Sequence, residues 1–138
     1  MVPTRHAEII RSATYFPVAE VSTIGAYYRD VLGFQCDYAA GDPPEFAIST
    51  RGGCCVMFRR VPAPGLICPN ERQGGTWDVF SWVDDVDALH AELAGNGAVI
   101  VHPPVVRPYG MKEFAVRDPN AYVLGFGQDW PARPSAEN

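Results

Sequence analysis

The side chains in this sequence that most often do chemistry are few and lie far apart. The three histidines are His6, His90 and His102, and none of them has an obvious partner ligand. The sequence contains no His-Glu-x-x-His motif, no Gly-x-Ser-x-Gly elbow and no glycine loop that could hold phosphate before a helix. The sequence therefore predicts no nucleophile, no general base and no catalytic residue of a familiar kind.

The four cysteines do not form a site either. They are Cys36, Cys54, Cys55 and Cys68, with no Cys-x-x-Cys pair, and neighbouring residues on a strand point to opposite faces. We expect them to pack as small hydrophobic side chains in the reducing cytoplasm. No apolar run approaches the ~18 residues of a membrane span, and the first eleven residues lack a signal-peptide core.

Composition limits the class of protein and of partner. The chain has 138 residues, of which 47% are hydrophobic and 20% are charged, as expected for one ordinary globular domain. Its net charge of −5 argues against nucleic acid and anionic membranes as partners, because both require a basic face. Neutral or cationic small molecules remain possible ligands.

Hydrophobic patterning predicts the same five elements twice. A strand is followed by an amphipathic helix and then by three short extended runs, giving a βαβββ unit in each half. The predicted runs after the two helices are Phe34–Tyr38, Glu45–Thr50 and Cys54–Arg60 in the first half, and Ala98–Val101, Met111–Arg117 and Tyr122–Gln128 in the second. The apolar stripes of the two helices correspond after a shift of 65 residues. The pattern predicts a single domain over residues 1–128, with module one at about 12–60, a linker at 61–76, module two at about 77–128, and a flexible tail at 129–138.

One helix per module can cover only one face of each sheet. The other face stays open unless the two halves, or two chains, close over it. Because exposed apolar surface costs ~25 cal/mol per Å², such a face is expected to be an interface or the wall of a binding cavity.

Three segments resemble the vicinal oxygen chelate superfamily, which contains glyoxalase I, extradiol dioxygenases and bleomycin resistance proteins. They are Val18–Val21 with Ala26–Phe34, then Val83–Leu89, and Gly110–Pro119, and the last is most similar to the bleomycin resistance branch. The resemblance implies an α+β fold in which two βαβββ modules form curved mixed sheets around a cleft, usually in a homodimer. In the enzymes of the superfamily, His and Glu side chains hold a divalent metal in that cleft.

The positions that carry the metal ligands in this superfamily fall here on Ala13, Met57, Asp78 and Gly125. Only Asp78 could bind a divalent ion, and no His, Asp or Glu lies within two residues of the four positions apart from Asp78 itself. Sites of this kind need about three protein ligands. We therefore expect no metal and no other cofactor.

The strand faces that would have held the metal carry a different set of side chains. Small residues such as Gly125 leave volume, while Tyr15, Phe80 and Trp82 supply flat walls on which a planar ring can stack. Asp78 is expected to be a lone anion among these rings, Glu113 a second carboxylate, and Tyr109 a lid. The predicted ligand-binding residues are Tyr15, Met57, Asp78, Phe80, Trp82, Tyr109, Glu113 and Gly125.

Two further expectations concern single residues. Trp77 has the opposite strand parity to Asp78 and is expected to pack beneath a helix. The turn at Asp118–Tyr122 lacks the glycine usual in the superfamily, so we expect Asn120 to take the left-handed conformation.

These features favour a metal-free homodimer that binds an antibiotic-like, planar or cationic small molecule and acts by sequestration. A metal-dependent glyoxalase- or dioxygenase-type enzyme with ligands at unmatched positions is the alternative. A third possibility is a cleft that only completes the core of a dimer and binds nothing.

Overall fold

The computed structural model describes residues 5–132, and these form two four-stranded mixed sheets, each with one helix. Module one contains β1 (Thr14–Val18), α1 (Val21–Asp30), β2 (Gln35–Gly41), β3 (Pro44–Arg51) and β4 (Cys54–Arg60). Module two contains β5 (Val79–Trp82), α2 (Val86–Gly95), β6 (Val99–Arg107), β7 (Met111–Arg117) and β8 (Val123–Asp129). The predicted α+β fold of two βαβββ modules is confirmed.

The two sheets have the same topology. Their strand orders are β1-β4-β3-β2 and β5-β8-β7-β6, so the first strand of each module runs parallel beside the last, and the other pairs are antiparallel. No helix among residues 5–132 is long and apolar enough to cross a membrane.

Each helix covers one face of its own sheet, as the hydrophobic stripes predict. Val21, Ile24 and Tyr28 of α1 are buried against module one, and Val86 and Leu93 of α2 are buried against module two. The buried side chains of both modules belong to one continuous hydrophobic cluster. The opposite face of each sheet is left open, and these two open faces carry the predicted ligand-binding side chains.

A few close contacts join the modules. The rings of Phe16 and Tyr122 stack at 4.1 Å, and the Tyr122 hydroxyl donates to the Pro17 carbonyl oxygen at 2.6 Å. Beside them, the buried Tyr28 hydroxyl donates to Asp118 Oδ2 at 2.7 Å. Polar groups buried in this way are costly unless they are paired, so the contacts fix how the modules meet.

The predicted end of β6 is wrong. We expected the strand to end at Val101 because prolines follow, but β6 continues through Pro103 and Pro104 to Arg107. It lies at the outer edge of its sheet and pairs only with β7, with register shifts on either side of His102. An edge strand tolerates proline because one of its sides needs no hydrogen-bond donors.

The predicted flexible tail is packed at its start. Strand β8 extends to Asp129, and the Trp130 N–H donates to the Gly110 carbonyl at 2.8 Å. The Lys112 ammonium also lies 4.3 Å from the centre of the Trp130 ring. Residues 133–138 of that prediction lie outside the described residues.

The turn before β8 corrects another expectation. Ala121, rather than Asn120, adopts positive φ (71°). Asp118 Oδ1 accepts hydrogen bonds from the Asn120 N–H at 2.8 Å and the Tyr122 N–H at 3.0 Å. These two bonds determine the path of the backbone, so the left-handed position falls one residue later than we expected.

We expect Ala121→Gly to raise the free energy of unfolding by up to ~1 kcal/mol. The left-handed conformation is less favourable for an L-residue than for glycine by ~1–2 kcal/mol. The greater conformational freedom of glycine in the unfolded chain cancels part of the resulting gain in stability. Urea unfolding measures the effect. The control is Ala39→Gly in β2, where φ is not positive and the change should be destabilising; equal effects at both sites would contradict the argument.

Candidate functional site

Three aromatic rings lie together on the open face of module two. The ring centres of Phe80 and Trp82 on β5 are 5.1 Å apart, and Trp77 lies 4.6 Å from Phe80. Trp82 is 74% exposed, although it is one of the largest apolar side chains. We call Trp77, Phe80 and Trp82 the module-two aromatic patch.

Glycines of β8 lie directly beneath this patch. Gly125 pairs with Phe80 and Gly127 with Trp82. A Cβ on Gly125 would overlap the Trp77 ring, and one on Gly127 would lie 2.6 Å from Phe80 Cζ. The volume that we expected to be free at Gly125 is therefore filled by aromatic rings that lie close to the β8 backbone.

The expectation that Trp77 packs beneath a helix is wrong. Strand β5 begins at Val79, so the alternation of strand side chains does not extend back to Trp77. The segment before β5 instead directs the ring across Gly125, on the same face as Phe80. This position of the Trp77 ring could not be predicted, because the sequence does not define the start of β5 to within two residues.

Glu113 lies on the same open face and is buried. It pairs with Gly127 across β7 and β8, and its side chain is 2% exposed. Oε1 accepts hydrogen bonds from the Tyr109 hydroxyl at 2.6 Å and from Arg107 Nε at 3.1 Å. The bond to Glu113 also raises the pKa of Tyr109. The structure thus brings Glu113, Tyr109 and the patch together.

Asp78 is not the lone anion that we predicted. Its Oδ1 accepts from the Asn70 N–H at 2.9 Å and its Oδ2 from the Val123 N–H at 2.8 Å. Both carboxylate oxygens are therefore used to hold the end of the inter-module linker against the start of β8. A role of Asp78 in ligand binding stays a prediction, but its observed contacts are structural.

We expect Asp78→Asn to lower the free energy of unfolding by about 1.5–3 kcal/mol. An amide offers one acceptor where the structure presents two N–H donors, so one donor loses a bond to a charged group. Denaturant unfolding measures the loss. Asp84→Asn on the neighbouring exposed segment is the control and should change stability by less than ~0.5 kcal/mol; a comparable loss there would contradict the assignment.

The open face of module one carries a second group of rings. Tyr15 is 55% exposed and contacts Phe46 edge-on at 6.2 Å, and Tyr38 lies 6.1 Å from Phe46. Met57 pairs with Tyr15, and the Arg59 guanidinium lies 5.8 Å from the Tyr15 ring centre. We call Tyr15, Tyr38 and Phe46 the module-one aromatic patch. Sequence reasoning missed Tyr38 and Phe46, although alternation along β3 places Phe46 on this face.

A cavity of about 810 Å³ lies between the modules. Two predicted residues, Phe80 and Trp82, line it; the other six do not. Its further apolar lining comes from both modules: Leu32, Phe34, Leu89, Leu93 and Phe126. Cavities of about 300–1,000 Å³ with apolar and aromatic walls are typical of small-molecule sites.

The rim of this cavity is predominantly acidic. Asp84, Asp85 and Glu92 line it, and Arg51 is the basic residue among the lining side chains. Arg51 forms a salt bridge with Glu92, with Arg51 Nη1 2.7 Å from Glu92 Oε2, so these two charges offset each other. The remaining negative charge favours neutral or cationic ligands over anions.

The residues at the metal-ligand positions of the superfamily do not fit a divalent ion. Ala13, Met57 and Gly125 offer no suitable donor atoms, and both oxygens of Asp78 already accept backbone hydrogen bonds. Within residues 5–132, no group of three or more His, Cys, Asp or Glu side chains is arranged to hold a metal.

The family follows from a comparison of the sequence with known families. A family model described as the Glyoxalase/Bleomycin resistance protein/Dioxygenase superfamily matches residues 12–126. The chain belongs to this superfamily. The superfamily assignment made from the three sequence segments is therefore confirmed. A comparison with curated proteins found no match.

Several solved structures share this fold. TioX from Micromonospora sp. ML1 is 25% identical, with a TM-score of 0.70, covering 86% of this chain and 98% of TioX. The copper(II)-bleomycin complex of the bleomycin-binding protein from bleomycin-producing Streptomyces verticillus is 24% identical (TM-score 0.68, 88% and 97% covered). The bleomycin resistance determinant encoded on transposon Tn5 is 20% identical (TM-score 0.66, 88% and 99% covered). At these last two identities the likeness is one of fold.

Proposed function

We propose that this superfamily member binds a planar small molecule and acts by sequestration, without changing the ligand chemically. The observation that carries the proposal is the aromatic cavity: Phe80 and Trp82 line a space of about 810 Å³. Exposed tryptophan on a concave apolar surface is unusual unless something stacks on it. Solved structures with the same fold include proteins described as bleomycin-binding, which supports an antibiotic-like ligand.

The charge of the site supports the choice of ligand class. The rim of the cavity is acidic, and the whole chain has a net charge of −5. Neutral or cationic planar molecules are therefore favoured, and anionic ones are disfavoured. Because a sequestering protein binds its ligand without turnover, the protection of the cell against that ligand would increase with the affinity and the concentration of the protein.

We further propose that two copies form a homodimer in the cytoplasm. The open faces support the dimer, since Tyr15, Tyr38 and Trp82 are more than half exposed in one chain. Ile9 and Ile10, in the extended segment before β1, are 89% and 92% exposed. Burial of these apolar side chains against a second copy of the chain would lower the free energy of the dimer. The four free cysteines are consistent with a reducing compartment.

Titration of tryptophan fluorescence with metal-free bleomycin, and then with other planar peptide antibiotics, tests the proposal. We expect saturable binding, a rise in melting temperature with ligand concentration, and recovery of the unchanged ligand by mass spectrometry. Trp82→Ala should weaken binding about 10- to 100-fold, because one stacked ring stabilises a complex by ~1–3 kcal/mol. Leu66→Ala, which removes an exposed apolar side chain away from the cavity, is the control.

Three results would overturn the proposal. The first is absence of binding across the panel. The second is conversion of the ligand during incubation, which would indicate an enzyme. The third is binding that appears only with an added divalent cation and disappears with a chelator.

A further inference from the structure

Glu113 has a carboxylate oxygen that nothing in the described chain uses. Oε2 is buried and has no hydrogen-bond partner among residues 5–132, while Oε1 accepts from both Tyr109 and Arg107. The side chain as a whole is 2% exposed. An unsatisfied buried acceptor destabilises the fold, and does so more when it is charged, so such an atom in a folded protein calls for an explanation.

The surroundings of Glu113 point to a ligand. Glu113 pairs with Gly127, and the Phe80 ring and the end of the Met111 side chain lie over that glycine. The carboxylate thus lies beside the module-two aromatic patch, next to the edge of any ligand ring that stacks on the patch. Tyr109 is 63% exposed and lies next to Gly110. Of the side chains that contact Glu113, it can therefore turn away most easily and open the carboxylate to a ligand.

The charges around Glu113 select the kind of group that it accepts. The Arg107 guanidinium, with Nε 3.1 Å from Oε1, already balances the negative charge of the carboxylate. A second cation at Oε2 would be attracted by Glu113 and repelled by Arg107 at similar range. An uncharged N–H donor satisfies Oε2 without adding a charge to a buried site.

We infer that Glu113 Oε2 accepts a hydrogen bond from an uncharged N–H group at the edge of a ring stacked on the module-two aromatic patch. The inference rests on the proposed function and narrows its ligand class to flat heterocycles or aromatic amides that carry a neutral donor. Arg107 acts as a positioning residue, because its bond to Oε1 leaves Oε2 free and fixes its direction.

Three planar probes of similar size test the inference by ligand-observed NMR. Indole carries a neutral N–H, benzothiophene has the same shape without a donor, and N-methylquinolinium is a cation without a donor. The parent protein should bind indole about tenfold more tightly than benzothiophene, as expected for a bond to a carboxylate. N-methylquinolinium should bind no more tightly than benzothiophene.

The matched variant is Glu113→Gln. Tyr109 and Arg107 both donate to Oε1, so the amide oxygen takes that position and its NH₂ replaces Oε2. This change turns the acceptor into a donor with almost no change of shape. The preference for indole should disappear, while the affinity for benzothiophene stays within about twofold. A purely structural role of Glu113 would change stability and leave the probe ratio unchanged.

If Glu113→Gln does not fold, Tyr109→Phe provides the second measurement. It frees Oε1 from one donor, so indole affinity should rise several-fold with benzothiophene affinity unchanged. Equal binding of indole and benzothiophene by the parent overturns the inference and leaves the proposed function standing. Tightest binding of the cation also overturns it. Failure of all three probes to bind counts against both the inference and the module-two aromatic patch as a ligand surface.

Discussion

Asp118→Ala is expected to lower the free energy of unfolding by about 3–5 kcal/mol. Asp118 is 4% exposed and accepts three hydrogen bonds: from the Tyr28 hydroxyl at 2.7 Å and from the N–H groups of Asn120 and Tyr122. Alanine would leave all three buried or partly buried donors without an acceptor, and each such loss costs ~1–3 kcal/mol. Denaturant unfolding of the two proteins measures the difference.

The control for Asp118→Ala is Tyr28→Phe. It removes one of the three bonds and keeps the packing of the ring against Phe34 and Phe58. We expect it to cost about 1–2 kcal/mol. A loss under 1 kcal/mol for Asp118→Ala would show that these three bonds contribute little to the stability of the fold.

The same carboxyl should make stability depend on pH. Burial raises the pKa of Asp118 from 3.8 to about 6, against the opposing effect of its hydrogen bonds. Since the pKa is higher in the folded state, the fold favours the protonated form. The contribution to stability is complete below pH 3.8 and is lost as the pH rises through 6. Relative to Asp118→Asn, the wild-type free energy of unfolding should fall by about 2 kcal/mol between pH 4.5 and 7.5. A difference that does not vary with pH would contradict this.

Gly125→Ala is expected to weaken ligand binding at least tenfold, with metal-free bleomycin as the probe. The added Cβ would overlap the Trp77 ring and approach Phe80 to 3.0 Å, so Trp77 must leave its position across β8. Stability should fall by about 1–3 kcal/mol, as for other overpacked sites. Fluorescence titration measures the affinity, and near-ultraviolet circular dichroism reports the movement of the tryptophan.

Gly65→Ala is the matched control for Gly125→Ala. A Cβ at Gly65 would meet no atom within 4 Å, so neither affinity nor the aromatic signal should change. If Gly125→Ala binds the probe as well as the parent does, Trp77 and Phe80 do not form the wall on which the ligand stacks.

The sequence predicted the parts of the fold that depend on regular alternation. The observed bounds of β4 and β7, Cys54–Arg60 and Met111–Arg117, are the predicted ones, because both strands combine a clear apolar face with glycine or proline at their ends. Alternation also placed Phe80, Trp82 and Glu113 on the open side, since these residues lie within strands of a sheet whose other face is covered by a helix.

Residues at the ends of elements could not be predicted in the same way. Trp77 and Asp78 precede β5, where the backbone no longer alternates, so the ring crosses a glycine and the carboxylate binds two backbone N–H groups. The left-handed conformation of Ala121 depends on the bonds to Asp118, and these bonds form only in the folded turn. Such features depend on three-dimensional contacts rather than on local sequence.

The prolines of β6 affect the concentration that this protein can reach before it aggregates. Pro103 and Pro104 lie in the outermost strand of their sheet, where they remove two backbone N–H groups. An exposed sheet border with a full row of such groups recruits strands from other molecules and promotes aggregation. The proposed sequestration, in which each protein molecule binds one ligand molecule, would require the protein to accumulate to high levels. A border interrupted by proline lets it do so without growing into fibres.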